Sequence, residues 1–341
     1  MKDSRTAPTL QDVANLARVS TATVSRCLNM PNQVSDKTKQ IVLHAVKELG
    51  YTPNFAARAM AAQRTRTIGA IIPTMENAVF ARGIQAFQEE LDAQGYTLLV
   101  ASSSYRPDLE QRQIRSLVAR GADALLLIGF NRDAAIYDFI ASRKIPTLVT
   151  WAHDPSEKRP SVGFDNHVAM RTLAREVLRL GHRRLAMISV DGATNDRVAA
   201  RVEGVRDAIR EAGLCATDLV LLETRYSVEA GTRGLHSVME ATPRPTVVLC
   251  ANDVLAVGAI KAAREIGLRV PEDVSIVGFD DIELARVVVP ELTTVHVPHR
   301  EMGRRAAIAL IDHLERGKPL VGCELATELR LRGSLGPPRT P

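Results

Sequence analysis

The stretch TLQDVANLARVSTATVSRCLN, residues 9–29, decides how the rest of the chain reads. Thr9 and Asp12 have the spacing of a capping box, with Asp in place of the usual Glu. Leu10, Val13, Ala14 and Ala17 recur three and four apart, which gives a short helix one apolar face. Arg18 and Val19 fit a tight turn. Ser20 is placed to cap a second helix, Thr21 to about Leu28, with Val24 and Leu28 pointing inward. A third helix is expected after Ser35, running to Leu49 with Ile41, Val42, Ala45, Val46 and Leu49 buried, and Gly50 offers the left-handed residue that stops it. Three such helices make about the smallest assembly that holds one helix rigidly toward a DNA groove.

Charge points the same way. Residues 1–66 carry ten Lys or Arg against four acids, whereas the whole chain of 341 residues carries 44 against 39. The positive excess therefore lies in the first fifth, where a polyanion would bind. At ~100–200 residues per domain the chain is long enough for two or three domains. The 45% hydrophobic and 24% charged composition excludes wholesale disorder and a fibrous class.

The second helix exposes Thr21, Ala22, Ser25, Arg26 and Asn29 in this reading. Arg26 is the natural base reader, because its guanidinium offers two donors to guanine O6 and N7. Thr21 can hydrogen-bond, and Ala22 is limited to apolar contact, for example with a thymine methyl. Ser20, Thr23, Ser25 and Asn32 suit phosphate oxygens. The plainer alternative makes Arg26 a solvated arginine and the threonines caps. After YTPN (51–54), the segment FAARAMAAQ (55–63) can form a further short helix capped by Asn54, too short to be stable alone. Met60, with Arg58, Arg64 and Arg66 around it, has the makings of a minor-groove wedge on a basic helix. A basic linker whose Met60 packs on the next domain is the alternative.

These residues, followed by VSDKTKQIVLHAVKELGYTPNFAARAM (34–60) and TIGAIIP (67–73), resemble the amino-terminal signature of the lactose-repressor/galactose-repressor family, and the likeness continues through nearly the whole chain. The resemblance implies that Thr21, Ala22 and Arg26 occupy the major-groove reading positions. It places Met60 where the family's hinge helix usually carries an intercalating leucine. Hinge helices of two subunits would then pair on DNA.

From Thr67 strand and helix patterns alternate. TIGAIIP reads as a buried parallel strand, Phe80 to Gln94 as a helix and YTLLVAS as a strand. A helix over Asp108–Arg120, the strand ADALLLIG, a helix over 134–143 and IPTLVT complete half of a doubly wound sheet. A second half follows, with a helix from Asn166, strands RLAMIS, LVLLE, TVVLCA and SIVGFD, and helices near 197–212, 228–241 and 254–266. The resemblance implies a periplasmic-binding-protein type of effector domain crossed three times by the chain. The expected division is 1–52 helix-turn-helix, 53–66 hinge and 67–333 effector domain. Its amino subdomain spans about 67–164 and 296–323, its carboxyl subdomain about 165–295 and 324–333, and a frayed tail is expected over 334–341.

Open sheets of this kind bind ligands beyond the carboxyl ends of strands. Asp165 and Asn166, Asn252 and Asp253, and Asp280 lie at such ends and can accept hydrogen bonds from sugar hydroxyls. In the family, positions matching Asp165, Arg201, Asp253 and Asp280 lie in or beside the pocket, and the loop of Asn77, Val79 and Phe80 contacts ligand. Arg197, one helical turn before Arg201, can face the same point, a pair suited to an anionic or strongly polar ligand. Arg197 on the surface and Asp253 as a helix cap are the alternatives. Trp151 can stack on a sugar face or be buried. The wording IPTMENAVFARGIQ (72–85), SYRPDLEQ (104–111) and SVGFDNHVAM (161–170) is most similar to the gluconate-repressor branch, which implies a sugar acid such as gluconate as effector.

The expected protein is thus a homodimeric repressor on a pseudo-palindromic operator, released or tightened by a small sugar-like ligand. A sugar-binding protein without DNA activity is the alternative. The start MKDSRTAP lacks the apolar stretch of a signal peptide, and no run is long enough to span a bilayer, so a cytoplasmic protein without membrane attachment is expected. Cys27, Cys215, Cys250 and Cys323 form no metal-ligand or redox pattern. No cofactor or metal is implied, and no nucleophile elbow, phosphate loop or zinc spacing marks an enzyme.

Overall fold

The computed structural model describes residues 7–52, 64–76, 78–156 and 159–339. They fall into two compact units, residues 1–65 and residues 66–341.

The first unit holds α1 (Leu10–Ala17), α2 (Thr21–Asn29) and α3 (Asp36–Leu49). Local chemistry fixes their ends. The Thr9 side chain accepts from the Asp12 N–H while Asp12 accepts from the Thr9 N–H, closing the capping box. Ser20 and Ser35 accept from the N–H groups of Thr23 and Thr38, and Gly50 stops α3 in the left-handed region at φ 63°. The core joins Val13, Ala14 and Ala17 to Val24 and Cys27 and to Val42 and Ala45. Ile41 departs from expectation: it is 44% exposed. Val42 and Ala45, three apart, set the inward stripe of α3, and Ile41 lies about 100° away from Val42 around the helix.

The second unit begins with β1 (Thr67–Ile72), α4 (Ala78–Ala93), β2 (Thr97–Ser102), α5 (Pro107–Ala119), β3 (Ala124–Ile128), α6 (Ala134–Ser142), β4 (Thr147–Thr150) and β5 (Ser161–Gly163). It continues with α7 (Asn166–Arg179), β6 (Leu185–Ser189), α8 (Asp196–Glu211), β7 (Val220–Glu223), α9 (Val228–Val238), β8 (Val247–Cys250), α10 (Asp253–Glu265), β9 (Ser275–Val277) and α11 (Leu284–Val287). The last elements are β10 (Thr294–His296), α12 (His299–Arg316), β11 (Cys323–Glu324) and β12 (Glu328–Arg330). A six-stranded parallel sheet runs β11-β5-β4-β3-β1-β2, and a four-stranded parallel sheet runs β7-β6-β8-β9. The antiparallel pair β10-β12 lies in the chain segments that cross between them. Strands β1, β3, β6 and β8 are buried along their whole length, as parallel strands covered on both faces must be.

Helix α12 packs along α4, where a side chain at Gly303 would run into the Gly83 backbone and one at Gly83 into the Trp151 ring. The carboxy-terminal segment corrects the expectation of fraying from residue 334. Ser334 is fully buried, the Ile276 N–H donates to its carbonyl at 2.9 Å, and the Gly336 carbonyl accepts from His182 at 2.8 Å and Ser275 at 3.1 Å. The segment lies against β9, and these bonds pair its backbone groups at Ser334 and Gly336.

Gly303→Ala is expected to destabilise the second unit by about 1–3 kcal/mol, because the backbone of α4 has to move. Urea unfolding followed by the emission of Trp151, the chain's one tryptophan, measures the shift, and an unchanged midpoint would refute the tight-crossing account.

Candidate functional site

On α2 the apolar residues Val24, Cys27 and Leu28 turn into the core, which leaves Ala22 and Arg26 exposed and Thr21 and Ser25 half-buried. Capping occupies part of the expected phosphate-contact set. Ser20 Oγ accepts from the Thr23 N–H at 3.1 Å and lies 2.9 Å from Thr23 Oγ1, so these two hydroxyls hold the helix start and each other. Asn32 is exposed. Asn54, Arg58, Met60 and Asn77, and the side chain of Asn29, lie outside the described residues.

In the second unit the strand ends of the two sheets face each other across a cleft. Its inner cavity, about 20 Å³, is lined by Val79 and Phe80 of α4, Tyr105, Trp151, Asn195, Arg197 and Arg201 of α8, Tyr226, Asn252 and Asp280. A wider space of about 570 Å³ opens outside it, sharing Tyr105, Asn195 and Tyr226. The two tyrosine rings, one from each side of the cleft, approach to 5.7 Å. Bonds across the cleft hold it shut: the Phe130 N–H donates to Asp196 at 2.5 Å, Asn131 to the Ala193 carbonyl at 3.1 Å, and Arg82 to Glu283 at 2.6 Å. A space of 20 Å³ is room for about one water. The inner cavity as it stands is too small for a sugar, whereas the wider space that adjoins it is not.

Arg201 is the best-braced residue of the cavity. Its Nε donates to Asn166 Oδ1 at 2.8 Å and its NH1 to the Ala251 carbonyl at 2.7 Å, while its guanidinium lies 3.7 Å from the centre of the Phe279 ring. The remaining nitrogen is 3.9 Å from Asp280 Oδ1. Asn166 donates in turn to the Trp151 carbonyl at 3.0 Å, tying α7 to the other side of the cleft. Asp280, 2% exposed and at φ 106°, has Oδ1 without a hydrogen-bond partner. Burial pushes its pKa up to about 7, against the pull of Arg201 and then Arg197. Arg197 is 8% exposed and donates to Asp196 at 3.1 Å. Trp151 is 2% exposed, with Phe80 edge-on at 5.3 Å and α4 pressed against it at Gly83.

Two expected effector residues are placed elsewhere. Asp165 caps α7, accepting from the Val168 N–H at 3.0 Å, and faces a separate groove with Glu324 and Glu328. Asp253 is fully buried and accepts from Thr294 Oγ1 at 2.6 Å and from the Ile282 N–H at 2.8 Å, so it braces β10 and the loop before α11 rather than the cavity. The cap of α10 is Asn252, which does line the cavity. Asp281, next to Asp280, turns away to bind His296 at 2.9 Å and Arg332 at 2.6 Å, on the crossing segments. Tyr105, Asn195 and Tyr226 were not expected. Both tyrosines lie three residues beyond the ends of β2 and β7, and that position was the signal available.

Residues 9–54 match the profile of the bacterial regulatory proteins, lacI family, and residues 174–335 match a periplasmic binding protein-like domain. The chain is 34% identical to the HTH-type transcriptional regulator DegA of Bacillus subtilis (strain 168), over 97% of this chain and 99% of that one. The chain belongs to the lacI family. A transcriptional regulator of this family from Silicibacter pomeroyi superposes with TM-score 0.87 at 26% identity, over 96% of this chain and 99% of that one. The lac repressor dimer bound to operator and the anti-inducer ONPF superposes at 0.84 and 25% identity, with the same coverage. This lacI-family chain is accordingly a DNA-binding transcriptional regulator with a small-molecule effector domain, and not an enzyme. Relatives of several names match about equally, so the gluconate-repressor branch is not distinguished among them. Among the described residues no helix is long and apolar enough to cross a membrane.

The raised pKa of Asp280 has a definite sign. Its proton stabilises the folded state fully below the ordinary carboxylate range, and that contribution is lost as pH rises through about 7. Asp280→Asn cannot ionise. The melting temperature of the variant is expected to fall less than that of the wild type between pH 5 and pH 8, and parallel falls would mean that Asp280 titrates normally.

Proposed function

We propose that the chain is a repressor of sugar-acid catabolic genes, which binds a pseudo-palindromic operator as a cytoplasmic homodimer and is released by gluconate or a related sugar acid. The observation that carries the ligand class is the pairing of Arg197 and Arg201, one turn apart on α8 and both at the cavity wall beside Asp280. Arg201 is already committed to Asn166 and Ala251. Arg197, which among the described residues bonds to the neighbouring Asp196, is the better placed to take a ligand carboxylate through charge-assisted hydrogen bonds. Asp280 suits hydroxyls, which donate to it, and the similarity of residues 72–85, 104–111 and 161–170 to the gluconate-repressor branch supports the same ligand.

On DNA, Arg26 reads a guanine in each half-site, with Thr21 and Ala22 setting the adjoining preference. Met60, by its place in the sequence, is the residue that wedges at the operator centre, on a basic segment that includes Arg58 and for which Asn54 is the expected cap. Closure of the cleft on the ligand changes how two subunits present these elements. The coupling is reciprocal, so an effector that weakens operator binding binds less well to the operator complex.

Selection of bound duplexes from a randomised pool at fixed salt, with and without gluconate, tests the reading. A symmetric site enriched without ligand and lost with it is expected. Enrichment only with ligand would mean corepression, and a symmetric site indifferent to sugar acids would discard the effector assignment. Failure of folded dimer to enrich any site would favour a sugar-binding protein with another output. Arg26→Ala is expected to relax preference at one base position per half-site, worth about 1–3 kcal/mol of discrimination, with thermal stability unchanged. Retained preference in the same selection would remove Arg26 from the reading role.

A further inference from the structure

Six buried side-chain nitrogen or oxygen atoms among the described residues have no hydrogen-bond partner, and four of them belong to Trp151, Asp280 and His299. These three meet at the base of the cleft. His299, the first residue of α12, is 4% exposed and stacks on Trp151 with ring centres 6.1 Å apart. Its Nε2 lies 4.0 Å from Asp280 Oδ1, too far for a direct bond. Neither imidazole nitrogen nor the facing carboxylate oxygen has a hydrogen-bond partner of good geometry, and the polar group that most opposes the burial of the ring is the Asp280 backbone. Nitrogen and oxygen atoms buried in this way cost stability, and their concentration beside a binding cavity calls for a function.

We propose that His299 is a specificity-determining residue of the effector site, taking together with Asp280 one hydroxyl group of the ligand. The proposal rests on the effector-site reading given above and deepens it. Burial keeps the imidazole neutral, with its pKa pushed down to about 3, so one ring nitrogen donates and the other accepts. Asp280 only accepts once it is ionised, above about pH 7, and carries a proton of its own below that. A hydroxyl satisfies both, donating to Asp280 Oδ1 and accepting from the imidazole N–H, and two hydrogen bonds of ordinary length bridge the 4.0 Å gap in a bent arrangement. Above about pH 7 a ligand carboxylate fits poorly there, because it has no proton to offer the ionised Asp280 and the two like charges repel. Donor and acceptor polarity therefore orients a sugar acid: its hydroxyl end lies at Asp280 and His299, and its carboxylate at Arg197. Selection against an analogue lacking that hydroxyl follows, since it would leave both groups buried and unpaired.

The experiment uses the full chain with His299→Met, His299→Phe and His299→Gln. In ligand-free protein the Met and Phe variants are expected to melt at or above the wild-type temperature, because an apolar ring or chain removes two unpaired nitrogens. Phe tests the same point with the ring retained and Met with a flexible side chain, so overpacking in one does not mask the result. A lower melting temperature in both would overturn the proposal and make His299 a structural residue. By calorimetric titration with gluconate, the Met variant is expected to bind at least tenfold more weakly than wild type. The Gln variant, which restores a donor and an acceptor, should lie within a few-fold of wild type. Wild-type affinity in the Met variant would also overturn the proposal. If wild type itself does not bind gluconate, the sugar-acid reading falls, and the ligand-free melting temperatures still decide the role of His299.

Discussion

A guanidinium buried at the centre of the second unit is the constraint on which the cleft depends. Arg201 retains its charge at any accessible pH, and removal of such a charge from water is expensive unless its donors are used. The fold uses them: Asn166 at the start of α7, the Ala251 carbonyl beyond β8 and the Phe279 ring beyond β9 all converge on it. Arg201 thus fixes the relative positions of three strand-to-helix junctions, and through Asn166 and the Trp151 carbonyl it reaches the other sheet. Loss of one partner would leave the others holding an incompletely paired ion.

The same bracing explains why neighbouring acids have different tasks. Asp280 faces Arg201 without a bond to it, whereas Asp281 is directed to His296 and Arg332 on the crossing segments. Two consecutive residues, both at positive φ, therefore connect the cavity to the segments that cross between the two sheets. Such backbone conformations are costly for side chains other than glycine and persist where surrounding bonds over-determine them.

Helix ends were legible in the sequence because their causes are local. Thr9 with Asp12, Ser20, Ser35 and Gly50 act within three or four residues of chain, and the structure places every one as a cap. The alternation of strands and helices in the larger unit was legible for a related reason, since burial on both faces writes continuous apolar runs. Direction at a strand end was not legible. Asp165, Asp253 and Asp280 have the same sequence setting, yet Asp165 is a cap, Asp253 is bound to β10 and Asp280 alone lines the cavity. The difference lies in residues such as Thr294 that arrive from distant segments. Tyr105 and Tyr226 pair across the cleft for the same non-local reason, and the carboxy-terminal strap is held by partners more than fifty residues away.

The small inner chamber also has a kinetic meaning. A ligand can reach the wider space directly, but the inner chamber has room for about one water, so full seating against Arg201 and Asp280 requires the surrounding side chains and cross-cleft bonds to yield. At low metabolite concentration the rate of capture rises with concentration. At high concentration it levels off at the frequency of spontaneous opening. The promptness of the genetic response then has a ceiling set by how often the bonds across the cleft give way, whatever the affinity of the chamber.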